Sequence, residues 1–402
     1  MLNKAKTSFA IALLGVSVLG SPACSSSDDD NNGNTAVCDT ANKDICYSKQ
    51  MVCAVASGAT QCQTCPAGSY AAQEGTCENL GAPKLEHQFQ TWTIPPFTEY
   101  KGKCQSWTLN NAEPIYVNAV ELSQNEESHH SIWTFVPDDH FVGPDGTWDC
   151  TERNYDEIKG ALLGGVLLAQ STQAPHQVQK FRSDAAVRIP PYSRIISDIH
   201  LLNATATEAT GSLTLKVYDM PQSDVKVQLV PFQIDDRAIN VLPRAKTRLV
   251  NNCPLDGAFQ SNGQAFTPKI HYILPHTHGY GRRFYVKALG GTRDGEMLLD
   301  VDQSAGYEAY GRAFDPPIDL TGAAGMTTGC EYENTTDQKL GWGWSDEMCQ
   351  MLGYMESPVA FVGTISDATQ QAADGQMQVF DSNSCDVLAT PWDYNRPGGP
   401  PR

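Results

Sequence analysis

Five histidines and one methionine of this 402-residue chain stand in patterns that could hold a soft metal. His276-Thr277-His278 sets two imidazoles two residues apart. On a β-strand alternate side chains share a face, so both rings can serve one ion. Pro275 lacks an amide proton and favours a strand end or edge, and Gly279 and Gly281 then turn the chain. His129 and His130, in Glu127-Ser128-His129-His130-Ser131-Ile132-Trp133, are adjacent and would face opposite sides of a regular strand. For both to reach one metal, the backbone must bulge or leave the strand there. His200 follows in Asp198-Ile199-His200-Leu201, on an expected strand after Pro190-Pro191-Tyr192. Met348 lies in Asp346-Glu347-Met348-Cys349. Three imidazoles are enough for copper or zinc, whereas a thioether beside two imidazoles favours copper(I), the softer ion. His87, His140, His176 and His271 lack such spacing and read as surface or structural, with His271 on the approach to His276.

These residues need a scaffold. The chain carries 33 Gly and 24 Pro, and short Val, Ile, Thr, Tyr and Phe runs alternate with turn residues, which predicts mostly strands. Strands are expected at 88–94, 100–108, 115–121, 131–136, 193–201 and 212–218. After a polar stretch at 219–224, more are expected at 225–232, 248–251, 265–273, 283–288, 296–301, 358–364 and 376–380. The stretch 158–170 is apolar but contains Gly160, Gly164 and Gly165, and reads as a buried strand or loop rather than a helix. The fold class is therefore all-β, with two consecutive jelly-roll-like β-sandwich domains at 85–222 and 225–390 and a Pro/Gly-rich tail at 391–402. The first would carry His129, His130 and His200, and the second His276, His278 and Met348. Tyr280, Trp342 and Trp344 are candidates to line the space between.

The N-terminus reads as an export signal over 1–24. Lys4 and Lys6 precede an apolar run at 9–20, too short to span a bilayer permanently. Ser21-Pro22-Ala23 then lead to Cys24, as in a bacterial lipoprotein signal with Cys24 as the lipidation site. Contact with a membrane is expected only through that anchor, or not at all if the protein is secreted. Residues 25–36 are a polar tether, and 37–80 hold six cysteines, a small disulfide-rich module of open connectivity. Thirteen cysteines are too many for a reducing cytosol. With 46 acidic against 28 basic side chains, the net charge of −18 argues against a nucleic-acid partner.

Taken together, the motifs over about 85–385 resemble the copper type II, ascorbate-dependent monooxygenases, the family of dopamine β-hydroxylase and peptidylglycine α-hydroxylating monooxygenase. His129-His130 resembles the family's paired histidines, and His200 its third ligand to that copper. His276-Thr277-His278 resembles its His-Thr-His motif, and Met348 the thioether that completes the second copper site. The resemblance implies two copper ions per chain, O2, and ascorbate or another one-electron donor. It also implies the disulfides Cys104–Cys150, Cys253–Cys385 and Cys330–Cys349. With Cys24 given to lipid, twelve cysteines remain for six pairs.

Four positions depart from the family. Ser131 stands where a methionine follows the paired histidines, and Asp198 where the amidating enzyme has glutamine. Leu274 and Leu352 replace the arginine and tyrosine that hold a peptide carboxylate in amidating members. A buried carboxylate without its cation is strongly disfavoured, so the expected substrate is a small molecule rather than a peptide terminus. An exported copper-binding or storage protein without turnover is the alternative, and a metal-free adhesion module the third.

Overall fold

Leu213, Leu215 and Val217 are fully buried, and Thr214 and Lys216 between them are half-exposed. That two-residue period, repeated along most of the chain, builds an all-β molecule in which each sheet turns one apolar face inward. The computed structural model describes residues 37–47, 49–125, 128–170, 175–303, 310–343 and 346–392. The expected export signal with Cys24, the tether at 25–36 and the tail from 393 onward lie outside them.

The N-terminal module contains helix α1 (Thr40–Tyr47) and the hairpins Met51–Ala56/Ala59–Thr64 and Ser69–Ala71/Cys77–Asn79. Its disulfides are Cys38–Cys53, Cys46–Cys62 and Cys65–Cys77. A unit this small buries too little apolar surface to hold itself together without such links. It also docks on both sandwiches. The Gln50 amide accepts from Val178 N and donates to Val178 O, both at 2.8 Å, closing a strand edge. The Arg312 guanidinium sits over the Tyr47 ring at 5.7 Å.

The first sandwich pairs two sheets. One runs β3 (Gly146–Asp149), β1 (Thr98–Thr108), β5 (Ser193–Asn203), β2 (Ser128–Pro137) and β4 (Gly165–Gln170). The other is centred on Ile115–Gln124 and reaches Val227–Gln228 at one edge. The second sandwich also pairs two sheets, each of six strands. One runs β8 (Arg312–Asp319), β7 (Lys269–His276), β9 (Gln350–Glu356), β6 (Val230–Asp236), β10 (Val359–Ile365) and β11 (Cys385–Pro391), and the other is centred on Gly325–Glu333 and Lys246–Pro254.

Cys104 and Cys150 are bridged, as are Cys253–Cys385 and Cys330–Cys349. Cys253–Cys385 crosses the second core from sheet to sheet, and Gly363 makes room for it: a Cβ there would lie 2.8 Å from Cys253 Sγ. Six disulfides belong to a chain folded in an oxidising compartment. Among the described residues no helix is long and apolar enough to cross a membrane.

The stretch 158–170 departs from expectation. It begins as helix α2 (Glu157–Leu163) and only then becomes β4. Asp156 caps the helix, its side chain accepting from Lys159 N at 2.8 Å. Gly160 lies within the helix, whereas Gly164 ends it and Gly165 opens the strand. Gly160 lets the helix sit against Thr134, where a Cβ would lie 2.7 Å from Oγ1, and a side chain on Gly164 would collide with the Phe135 carbonyl. They mark close packing on β2.

Candidate metal centre

Strand parity decides where the histidines point. On β2, Trp133 and Phe135 enter the first core, so His130 and Ile132 face outward. On β5, Ile195 and Ile199 enter that core, and Asp198 and His200 face outward with them. On β7, Ile273 enters the second core, while Tyr272, Leu274 and His276 face the first sandwich. On β9, Met351 and Met355 turn inward, and Gln350, Leu352 and Tyr354 turn toward the first sandwich. Tyr272, Leu274, Leu352 and Tyr354 are in fact continuous with the first sandwich's core. The outward faces of β2 and β5 thus meet those of β7 and β9.

His200 pairs directly with His130, and the next pair is Leu201 with Ser128, so the register skips His129. This is the bulge that adjacent histidines on one face require. The His129 side chain itself lies outside the described residues. The His130 and His200 rings are 4.7 Å apart. The His130 ring is also 5.4 Å from His276 and 6.2 Å from His278, and these two are 5.1 Å apart. One ligand atom each of His130, His276 and His278 lies within 4.8 Å of the others, and all three residues are buried. Nitrogens around one ion at bonds of about 2 Å lie about 3–4 Å apart, so the three rings stand slightly farther apart than ligands closed on one ion. His130 of one expected set and His276 and His278 of the other, expected in separate centres one per sandwich, therefore meet in one cluster, because the faces that carry them are opposed.

Second contacts orient the rings. His200 Nε2 lies 2.6 Å from Glu99 Oε1 on β1, so a metal would take His200 through Nδ1. His278 Nδ1 lies 3.1 Å from Asp346 O, which turns Nε2 toward the cluster. Burial lowers the His278 and His200 imidazoles below the usual range, against the opposing pull of Glu99 on His200. That keeps them in the neutral form a metal requires. Glu347 accepts from His278 N and Tyr280 N, both at 2.8 Å, and fixes the loop after β7. Burial pushes its carboxyl up to about 7 despite those amides.

Met348 is 3% exposed and belongs to none of the apolar cores, lining the same cleft as His130 and His276. Tyr332 Oη donates to Met348 O at 2.6 Å, and the neighbouring Cys349–Cys330 bond ties the segment to the outer sheet. Pro275 sits near the end of β7, as its missing amide proton predicts. Thr277 Oγ1 donates to Gln303 Oε1 at 3.0 Å.

The remaining sequence candidates are placed as follows. Ser131 faces the first core and accepts from Trp133 Nε1 at 2.9 Å, away from the cluster. Asp198 lines the cleft, where burial pushes its carboxyl up to about 6. Leu274 and Leu352 oppose each other across β7 and β9 and line it too. Trp342 stands in the lining, Tyr280 packs against the second core, and Trp344 lies outside the described residues. His87 stacks on Trp107 at 4.6 Å, His176 pairs with Glu121 at 3.0 Å, and His271 is buried 3.9 Å from Glu356. His140 lies 3.9 Å from the exposed Asp139 carboxylate. Sequence reading missed Glu99 and Glu347. Glu347 was legible as part of the Met348 motif. Glu99 carries no local signal, since its partner is 101 residues away.

No protein-family model matches the chain, and no curated protein matches it. Among solved structures it is similar to the major capsid protein of bacteriophage PM2, at 11% identity, 66% of this chain, 97% of that one and a TM-score of 0.28. It is also similar to PNGase F, a glycosylasparaginase from Flavobacterium meningosepticum, at 7% identity, 74% of this chain, 99% of that one and a TM-score of 0.27. Likenesses this distant say nothing about activity.

Proposed function

We propose that the protein is a copper-dependent monooxygenase that hydroxylates a C–H bond of a small molecule, using O2 and a one-electron donor such as ascorbate. One observation carries the reading. His130, His276 and His278, which the motifs single out as ligands, come from opposite sandwiches and meet within 4.8 Å. Met348 lines the same cleft. The donor set suits copper: buried imidazoles and a soft thioether. His129, His130 and His200 would form one set and His276, His278 and Met348 the other. Bound copper would supply one-electron redox chemistry and activation of O2. The chain's own residues hold the imidazoles in register, orient them through Glu99 and Asp346, and enclose a cleft for the substrate. An export signal ending at Cys24 would place the protein at the cell envelope.

The contact between the two ligand sets also favours a second reading, an exported copper-binding protein without turnover, since a closed cluster suits retention of metal. Copper titration with O2 uptake decides. Copper bound with affinity that depends on His130 and His276, together with ascorbate- and substrate-dependent O2 consumption, supports the monooxygenase. Copper binding without any such consumption supports the second reading, and absence of copper binding ends both.

A further inference from the structure

The histidine cluster opens on a cleft of about 330 Å³ between the sandwiches, at the small end of ligand pockets. We infer that this cleft takes an apolar small molecule that carries no anionic group. Naming that molecule the substrate rests on the proposed function; its binding does not.

The apolar part of the argument comes from strand parity. Leu274 and Leu352 form a direct cross-strand pair, and both line the cleft beside His276 and Met348. Ile132 and Val166 of the first sandwich and Phe232 and Phe361 of the second extend the apolar lining. A ligand's hydrocarbon body is thus desolvated on both sides as it approaches the metal-ligand cluster.

The charge part comes from what stands among those side chains. The described lining includes the carboxyl groups of Asp156, Glu157, Asp198 and Asp235. Its one guanidinium, Arg237, is engaged, with Nε 2.9 Å from Asp235 Oδ2 and its plane over Trp342 at 5.3 Å. Burial holds the Glu157 carboxyl well above the usual range, and Asp156 and Asp235 are paired with Lys159 and Arg237, so a carboxylate or phosphate entering the cleft meets no unengaged cation in the described lining to receive it. An alcohol or an amine would instead find acceptors.

The test uses the full chain, metal-depleted by chelation, and three ligands with one phenylpropyl body ending in an alcohol, an amine or a carboxylate. Calorimetry at pH 7.5 should show the alcohol and the amine binding and the carboxylate at least tenfold weaker. A carboxylate that binds as tightly as the alcohol, or no binding by any of the three, overturns the inference. Leu274→Arg adds a cation to the wall. In a variant shown folded by near-ultraviolet dichroism, the carboxylate's deficit should shrink about tenfold. An unchanged ranking in that folded variant means the ligands bind elsewhere and also overturns it. Copper titration of the same samples reports separately on the metal reading, so the two fail independently.

Discussion

His200 lies directly opposite His130 on the neighbouring strand, their rings 4.7 Å apart at 78°. The same His130 ring meets His276 and His278 from the other sandwich. It is the side chain through which the two ligand sets touch. His130→Ala should therefore weaken copper binding more than tenfold with the fold preserved, whereas His140→Ala should leave it unchanged. Calorimetric titration checks this, and equal affinity in the two variants would contradict the cluster as the metal site.

Glu121 predicts an acid-labile fold. It is buried, and its hydrogen bond with His176 holds the carboxyl down to about 2, helped by Tyr218 and Lys216. A carboxylate with a depressed native pKa stabilises the fold above its unfolded value of about 4.3, and that stabilisation is lost as pH falls toward 2. Glu121→Gln should cost about 2 kcal/mol at pH 7 and much less at pH 2.5. Denaturant melts across that range measure it, and a pH-independent difference would refute the linkage.

Asn203 and Asn334 begin the sequences Asn-Ala-Thr and Asn-Thr-Thr, which match glycosylation sequons, yet both side chains are buried. Each makes the same pin. Asn203 Oδ1 accepts from Thr205 N at 2.9 Å and its Nδ2 donates to Thr207 O at 2.8 Å. Asn334 does the same with Thr336 N at 2.9 Å and Gln338 O at 2.7 Å. Expression in a glycosylating host should add no sugar to the folded protein, read by intact mass. Either Asn→Ala change should cost about 1–3 kcal/mol.

Gln50 closes the edge at Val178 as a strand would, with two hydrogen bonds of 2.8 Å. Gln50→Ala should raise hydrogen exchange at the Val178 amide more than tenfold while leaving the three module disulfides intact. Unchanged protection there would mean that other contacts dock the module.

Much of the scaffold was readable because burial follows simple periods. The alternation at 213–217 depends on neighbours in the chain, whereas His278 lies past the end of β7 and is placed by Glu347 and Asp346 rather than by strand alternation. The failures lie where a distant partner sets the outcome. No strand was expected at 312–319, yet β8 forms there, an edge strand that tolerates the missing amide protons of Pro316 and Pro317. Gly160 looks like a helix breaker but lies inside α2, because Thr134, on which it packs, is not adjacent in sequence. The candidate ligands could be picked out one by one. That His130 would touch His276 was not, since it depends on which faces of two sandwiches meet.

The central claim is that imidazoles from both sandwiches and the Met348 thioether hold copper beside one cleft. X-ray absorption of the copper-loaded, ascorbate-reduced protein tests it most directly. The account predicts imidazole nitrogens plus one sulfur shell, and in Met348→Ala loss of that shell and of hydroxylation with the fold intact. A spectrum without sulfur, or one unchanged in Met348→Ala with turnover retained, would contradict it.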